Sequence, residues 1–153
     1  MAIKEKLAAM NLILPEVSAP GGNYVSCNIR GAIAYIAIQF PILNGSYCYQ
    51  GRLGYDITTE EGYEAMKLCA LNVIAQVEMN IGFDKIIGLN HIDVYFQSGF
   101  DWDDSPIIAN GASELFVELL EDKGKHSRSI FGVECLPRNF CVGLTTSFTI
   151  KTS

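Results

Sequence analysis

The chain has 153 residues, of which 49% are hydrophobic and 18% are charged, and its formal net charge is −6. This length predicts a single domain over residues 1–153, and the acidic balance disfavours nucleic acid as a partner, because phosphate backbones are bound by clustered lysine and arginine. Because the chain has no run of eighteen apolar residues and opens without a long apolar leader, we expect no membrane span and a cytoplasmic protein.

Charged residues are scarce compared with the share of about a quarter in average globular domains. On so short a chain, this leaves more apolar surface than a monomer usually exposes, so we expect an oligomer. The cysteines are odd in number and none forms a CxxC pair, which predicts reduced structural thiols. They are Cys27, Cys48, Cys69, Cys135 and Cys141.

The first third of the chain reads mainly as strands and turns. Residues 3–10 could form a short helix, but their apolar spacing is too brief to distinguish it from a flexible lead. Residues 24–40 predict two strands hinged at Arg30-Gly31, the second of them a buried central strand. Asn44-Gly45 favours a type I′ turn, because both central positions of that turn need positive φ, and so predicts a hairpin within residues 41–49.

Two amphipathic helices are predicted further along. The first follows Thr58-Thr59-Glu60-Glu61, which matches a capping box. The second follows Ser105-Pro106, an N-cap and a first-turn proline, and extends to Gly124 as a C-cap. The apolar residues at helical spacing are Met66, Cys69, Val73, Val77 and Ile81 in the first helix, and Ile108, Ala112, Leu115, Phe116, Leu119 and Leu120 in the second.

Three further segments, 85–96, 128–134 and 140–150, have the composition of strands. In the last one apolar residues alternate with small, weakly polar ones, so one face of the strand is expected in the core. The order of elements predicts an α+β fold in which a mixed sheet carries two helices packed on one face. The other face is then left to pack on partners.

Arg128 stands at the start of a predicted strand, within Lys125-His126-Ser127-Arg128-Ser129. A guanidinium is a planar fork of donors that matches a carboxylate, and the alternative is a solvated surface arginine. His91 and His126 are the only imidazoles. His126 could act as an acid or base or be structural, and two histidines do not support a histidine-built metal site.

Sequence motifs for other chemistry are missing. The chain has no GxSxG elbow, Walker loop, dinucleotide fingerprint or HExxH pattern. Asp101, Asp103 and Asp104 around Trp102 lack the alternating ligands and the glycine of an EF-hand, and are interpreted as a solvated turn. We therefore predict no metal and no cofactor.

Several stretches, taken in order, resemble the RidA/YjgF family, also described as endoribonuclease L-PSP, and especially its longer subgroup. The matching stretches are Gly22–Val25, Tyr35–Ile42, Gly62-Tyr63, Leu68–Asn72, Asn110–Leu115, and Ser127–Ser129 ahead of Leu136-Pro137. The resemblance implies a chorismate-mutase-like fold that forms a homotrimer with ligand clefts between adjacent subunits.

The resemblance also implies a reaction. Family members of the deaminase type hydrolyse reactive enamines and imines, such as 2-aminoacrylate, to 2-keto acids and ammonia without a cofactor. By this resemblance Arg128 would bind the substrate carboxylate, and the backbone near Ala37 and Ile38 would contact the ligand. Tyr24 and Asn110 would line or support the cleft.

The chain departs from the family pattern at three positions. The SGQ-like stretch is Ala37-Ile38-Gln39, the cysteine two residues after the arginine is Ile130, and the catalytic glutamate maps to Thr145. Thr145 can hold a water but cannot supply a proton at neutral pH. Glu134 and His126 are candidates to compensate, although nothing in the sequence places either in the cleft.

Two other functions therefore stay open beside the deaminase. One is a non-catalytic trimer that binds a small carboxylate metabolite as a sensor or partner protein. The other, an endoribonuclease, rests on the family label alone.

Overall fold

The computed structural model describes residues 2–152 and consists of one main sheet, a short hairpin and three α-helices. The helices are α1 (Ile3–Ala9), α2 (Thr59–Asn80) and α3 (Ser105–Leu120). The strands are β1 (Cys27–Arg30), β2 (Ile33–Gln39), β3 (Ile42–Leu43), β4 (Ser46–Tyr47), β5 (Ile86–Phe96), β6 (Ser127–Gly132) and β7 (Val142–Ile150). The predicted α+β class is confirmed.

The main sheet is mixed, with strand order β1-β2-β7-β5-β6. Its neighbouring strands are antiparallel except β5 and β6, which run parallel because α3 crosses between them. The short strands β3 and β4 form a separate hairpin. Asn44 and Gly45 at its turn have φ of 50° and 85°, as the predicted type I′ turn requires.

Helix α2 begins as its sequence predicts. The Thr58 side chain accepts a hydrogen bond from the Glu61 backbone N–H at 3.0 Å, and the Glu61 side chain accepts one from the Thr58 N–H at 3.0 Å. This capping box satisfies two of the amide groups that an α-helix leaves unpaired at its start. All five apolar residues predicted for its inner face are buried.

Helix α3 packs against α2 at very short range. A Cβ placed on Gly111 would lie 2.2 Å from the Tyr63 carbonyl oxygen, so only glycine allows this approach. The predicted limits of α3 were wrong by one residue at the start and by three at the C-cap. Asp104, not Ser105, is the N-cap, and the helix ends at Leu120 because Glu121 has a φ of 57° and starts a 3₁₀ turn that runs to Gly124.

The helices cover only one of the two faces of the sheet. On β7, Leu144 and Phe148 are fully buried beneath the helices, whereas Thr145, Ser147 and Thr149 on the opposite face are only partly buried. We call this opposite side the open face. The predicted alternation is therefore confirmed.

All five cysteines are free thiols, as expected from the sequence. Within residues 2–152, no helix is long and apolar enough to cross a membrane.

Candidate functional site

Arg128 lies on β6, and its side chain turns toward α3. The guanidinium Nη1 donates to Asn110 Oδ1 at 2.7 Å and to Ser113 Oγ at 3.1 Å, and Nη2 donates to the Pro106 carbonyl at 3.5 Å. All three acceptors are neutral. None of the ion pairs within the described residues involves Arg128, so its positive charge has no carboxylate partner in this part of the chain.

A short hydrogen-bond chain fixes Ser113 behind the arginine. His126 Nδ1 lies 2.6 Å from the Gly124 carbonyl oxygen and must donate to it, so in the neutral imidazole Nε2 is the acceptor. Ser113 Oγ is 2.9 Å from that Nε2 and donates its proton there, which leaves its lone pairs directed at Arg128. His126 thus orients Ser113, which in turn holds the arginine.

Ala37 and Ile38 form a β-bulge on β2. Ile36 pairs with Thr146 and Gln39 pairs with Leu144, so two residues of β2 stand opposite the single residue Thr145. The Ala37 N–H donates to the carbonyl of Ser26, the residue just before β1, at 2.8 Å. Bulges of this kind often accompany binding sites because they redirect backbone groups. The structure therefore brings three predicted site residues together: Ala37, Ile38 and Thr145.

Tyr24 precedes this bulge but does not belong to the sheet. The prediction that the first strand starts at Tyr24 was wrong, because β1 begins at Cys27. Tyr24 lies in a bend, its side chain is 51% exposed, and its hydroxyl accepts a hydrogen bond from the Gly21 N–H at 3.1 Å. The Ser26–Ala37 hydrogen bond connects this bend to the bulge.

The predicted residues thus form two groups on opposite sides of the sheet. Arg128 and Asn110 lie on the side of α3, whereas Thr145 points to the open face, as strand alternation requires. Two surface grooves of the described chain, one beneath α1 and one beside Tyr63, include neither Arg128 nor Thr145. A cleft that uses both groups would have to form between two subunits.

The two residues expected to compensate for the missing glutamate do not contact Thr145. His126 is engaged on the α3 side, as described above. Glu134 is exposed beyond the end of β6, and its backbone carbonyl accepts a hydrogen bond from Arg52 at 2.6 Å. Within one chain, therefore, neither residue contacts Thr145.

A polar row on the open face was missed by sequence reasoning. Thr145 Oγ1 donates to Asp93 Oδ2 at 3.3 Å, His91 Nε2 lies 3.0 Å from Asp93 Oδ1, and Ser127 Oγ lies 2.7 Å from His91 Nδ1. The row spans three adjacent strands, β7, β5 and β6. The spacing of His91 and Asp93, two apart on a predicted strand, already placed both on one face. We call these four residues the polar row.

Comparison with known proteins agrees with this architecture. The family model described as "YjgF/chorismate_mutase-like, putative endoribonuclease" matches residues 4–148, so the chain belongs to the YjgF/chorismate mutase-like family. It is 31% identical to "Protein TCP17" of Trypanosoma cruzi over 137 residues, which cover 88% of this chain and 86% of that protein.

Solved structures extend the comparison to the fold. A crystal structure of a "putative endoribonuclease" from Shewanella oneidensis MR-1 superposes with a TM-score of 0.95 at 33% identity, covering 97% of this chain and 99% of that one. The protein Atu1372 from Agrobacterium tumefaciens, described as of unknown function, has a TM-score of 0.90 at 28% identity, with 99% and 93% covered. The expected RidA/YjgF membership is confirmed.

Proposed function

We propose that this protein hydrolyses reactive 2-imino and 2-enamino acids to 2-keto acids and ammonia, with the substrate carboxylate held by Arg128 in a cleft between subunits of a homotrimer. Family membership supports the reaction class. The observation that carries the proposal is the state of Arg128, whose guanidinium is held by three neutral acceptors and pairs with no described carboxylate.

The Arg128 guanidinium is fixed by hydrogen bonds but its charge is not neutralised, which favours binding of a small carboxylate. Two charge-assisted hydrogen bonds from the guanidinium fork would each stabilise the complex by about 1.5–3 kcal/mol. Asn110 and Ser113 already restrict the side chain, so little further ordering is needed on binding. Binding through the carboxylate would leave C2 of the ligand, the carbon that reacts, free to point away from the arginine.

The chemistry then needs only water. A 2-enamino acid first tautomerises to the imine. The water oxygen adds to C2 of the imine while a proton of the water passes to the imine nitrogen, and the resulting carbinolamine loses ammonia as its C2–N bond breaks, the C2=O bond forms and the hydroxyl proton leaves with the nitrogen. Thr145 can hold that water by its hydroxyl, and the backbone at the bulge of Ala37 and Ile38 offers groups that can face the ligand. This hydrolysis requires no cofactor.

The open face supports assembly of the trimer. Tyr35 and Phe131 on this face are 50% and 45% exposed in a single chain, and Phe131 stacks on Tyr95 with ring centroids 5.5 Å apart. Exposed aromatic side chains on an uncovered sheet are typical of surfaces that bury against another chain. Proteins of this family are generally oligomeric. The proposal requires this trimer to bring Arg128 of one subunit near the bulge of the next.

Non-catalytic binding of a small carboxylate metabolite is the second candidate. It is favoured by one observation: position 145 is a threonine, which cannot exchange a proton at neutral pH. Ribonuclease action, suggested by the family description alone, is opposed by the net charge of −6.

The deciding experiment measures turnover of imino acids generated in solution by an amino acid oxidase, read as loss of the imine that semicarbazide can trap. Wild type and Arg128→Gln are compared with Lys123→Gln, which removes a charge from an exposed residue close in sequence. We expect wild type and Lys123→Gln to clear the imine faster than buffer, and Arg128→Gln to match buffer.

The same proteins distinguish the alternatives. Wild-type rates equal to buffer across several amino-acid-derived imines would rule out the deaminase. In that case, stabilisation of wild type by pyruvate, lost in Arg128→Gln, would favour the non-catalytic binder. If Arg128→Gln clears imines as fast as wild type, Arg128 takes no part in the mechanism.

A further inference from the structure

The polar row of Ser127, His91, Asp93 and Thr145 contains a carboxylate that the proposed function does not yet use. Asp93 lies directly across from Thr145 in the antiparallel register of β5 and β7. Its side chain is 32% exposed and that of His91 is 37% exposed, so both are reachable from the open face. The row is therefore neither buried in the core nor fully solvated.

The hydrogen bonds within the row converge on Asp93. In the tautomer whose Nε2–H donates to Asp93 Oδ1, His91 Nδ1 accepts from Ser127 Oγ, and the Thr145 hydroxyl donates to Asp93 Oδ2. This assignment satisfies each group with a neutral imidazole and an ionised carboxylate. Asp93 is the acceptor at the centre, fixed from two sides, and each of its oxygens keeps a further lone pair for a water.

The surroundings of Asp93 point toward the candidate site. Thr145 stands between Asp93 on one side and the bulge of Ala37 and Ile38 on the other. A water bound at the Thr145 hydroxyl would thus lie beside a carboxylate and beside backbone groups that the bulge takes out of the regular ladder. No other carboxylate in the described chain hydrogen-bonds to Thr145.

We propose that Asp93 is the proton-accepting catalytic residue of this site, with Thr145 positioning the water and His91 positioning the carboxylate. This inference rests on the proposed deaminase function. As the water oxygen bonds to C2 of the protonated imine, the proton it loses passes to an Asp93 oxygen. Asp93 then gives this proton to the nitrogen of the carbinolamine and returns to its ionised form. The C2–N bond breaks as the C2=O bond forms, and the hydroxyl proton leaves with the nitrogen, so the products are a 2-keto acid and ammonium.

The hydrogen bonds of His91 explain how it positions the Asp93 carboxylate. An imidazole between a hydroxyl and a carboxylate keeps one tautomer, and that tautomer here directs an N–H at Asp93. Such a donor keeps the carboxylate oriented without removing its charge. A positioned acid or base usually contributes about 10² to 10⁴ in rate. Thr145 alone has no group that can take up a proton, so the contribution has to come from its neighbour.

The test uses the full-length protein and oxidase-generated imino acids. Asp93→Asn keeps the size of the side chain but cannot accept the proton, and we expect kcat to fall about 10²- to 10⁴-fold. Binding of pyruvate as a probe should change less than about threefold, because Arg128 is intact. The matched control is Asp101→Asn, at an exposed position in a loop, which should keep the wild-type rate.

A second variant restores a carboxylate from the neighbouring strand. In the double variant Asp93→Asn/Thr145→Glu we expect kcat to recover at least about tenfold over Asp93→Asn, which loss of folding or simple disruption of the row would not produce. Should Asp93→Asn not fold, as judged by circular dichroism, Thr145→Val tests the same step with Asp93 in place and should lower kcat by at least about tenfold.

The outcomes separate the two proposals. If wild type is active and folded Asp93→Asn stays within about threefold of it, Asp93 is not the proton acceptor and the deaminase function stands. If wild type clears no imine, the proposed function fails and the role of Asp93 in it fails too. A large loss of kcat with pyruvate binding retained and partial recovery in the double variant supports both.

Discussion

Arg128 and Asn110 meet across the packing of β6 on α3, with the guanidinium Nη1 donating to the amide oxygen at 2.7 Å. This contact fixes one branch of the fork while leaving the charge without a carboxylate partner. Asn110 is therefore expected to position the arginine, and any contact it makes with a ligand itself would add to that role.

Asn110→Ala should weaken binding of pyruvate by about 2- to 10-fold, because an arginine that must be ordered on binding costs about 0.5–1.5 kcal/mol. Isothermal titration calorimetry with pyruvate measures the change. Asn28→Ala is the matched control, since the Asn28 oxygen accepts a similar bond at 2.9 Å from Arg30. Equal affinities for all three proteins would show that the Asn110 contact does not prepare the site.

Most of the fold could be predicted from local sequence patterns. Capping residues, helical periodicity and strand alternation act over a few residues, and they located α2, the inner face of α3 and the buried face of β7 correctly. Helix limits failed at Asp104 and Glu121, where hydrogen bonding and backbone conformation of single residues decide the boundary.

The candidate site was only partly predictable. Arg128 was a candidate because of its guanidinium and Asn110 because of the resemblance, but their contact depends on how α3 packs on β6. The pairing of Asp93 with Thr145 joins residues 52 apart in sequence, and it depends on strand order and register. Neither is determined by local patterns, because a shift of one residue would turn the two side chains to opposite faces.

Phe131 should be essential for assembly of the subunits. Its half-exposed ring stacks on Tyr95 at the open face, and a glutamate there would place a charge in a contact that excludes water. We expect wild type to have three times the mass of one chain in light scattering after size exclusion, and Phe131→Glu to have the mass of one. The control is Phe100→Glu, because the Phe100 side chain is fully exposed in a loop, and this variant should remain a trimer.

A monomeric wild type would contradict the trimer and the intersubunit cleft together. A trimeric Phe131→Glu would instead show that the subunits associate through another surface. Comparison of imine clearance by the two variants then tells whether activity depends on assembly.

Gly111 should be critical for stability because of the close approach of α2 and α3. The Cβ of an alanine would lie 2.2 Å from the Tyr63 carbonyl and 3.2 Å from the Lys67 nitrogen, so the helices would have to separate. Overpacking of this kind costs about 1–3 kcal/mol, more than the modest gain in helix propensity from glycine to alanine. Gly21→Ala, whose new Cβ would find only the Tyr24 hydroxyl at 3.9 Å, is the control.

Urea unfolding followed by circular dichroism measures both variants. The expected result is a lower midpoint for Gly111→Ala with little change in the slope, and a midpoint near wild type for Gly21→Ala. An unchanged midpoint for Gly111→Ala would mean that the helices move apart without loss of packing.

The buried thiols should make stability fall at alkaline pH. Burial raises the pKa of Cys69 well above its ordinary value near 9 and raises the pKa of Cys141 to about 12. Between about pH 9 and 12 these thiols ionise in the unfolded chain but stay protonated in the folded one. The stability they contribute is therefore complete below about pH 9 and is lost as pH rises, by up to about 1.4 kcal/mol per pH unit for each thiol.

Urea unfolding at pH 8 and pH 10.5 tests whether stability falls as pH rises. We expect a lower free energy of unfolding at pH 10.5, and a smaller decrease in Cys69→Ala, which lacks one of the two thiols. Cys135→Ser is the control, because Cys135 is exposed and its loss should leave the pH dependence as in wild type. If Cys69→Ala and wild type lose equal free energy of unfolding over this range, ionisation of Cys69 does not cause the pH dependence. Tyr63 is then the next group to test, because its hydrogen bond to Glu114 raises its pKa.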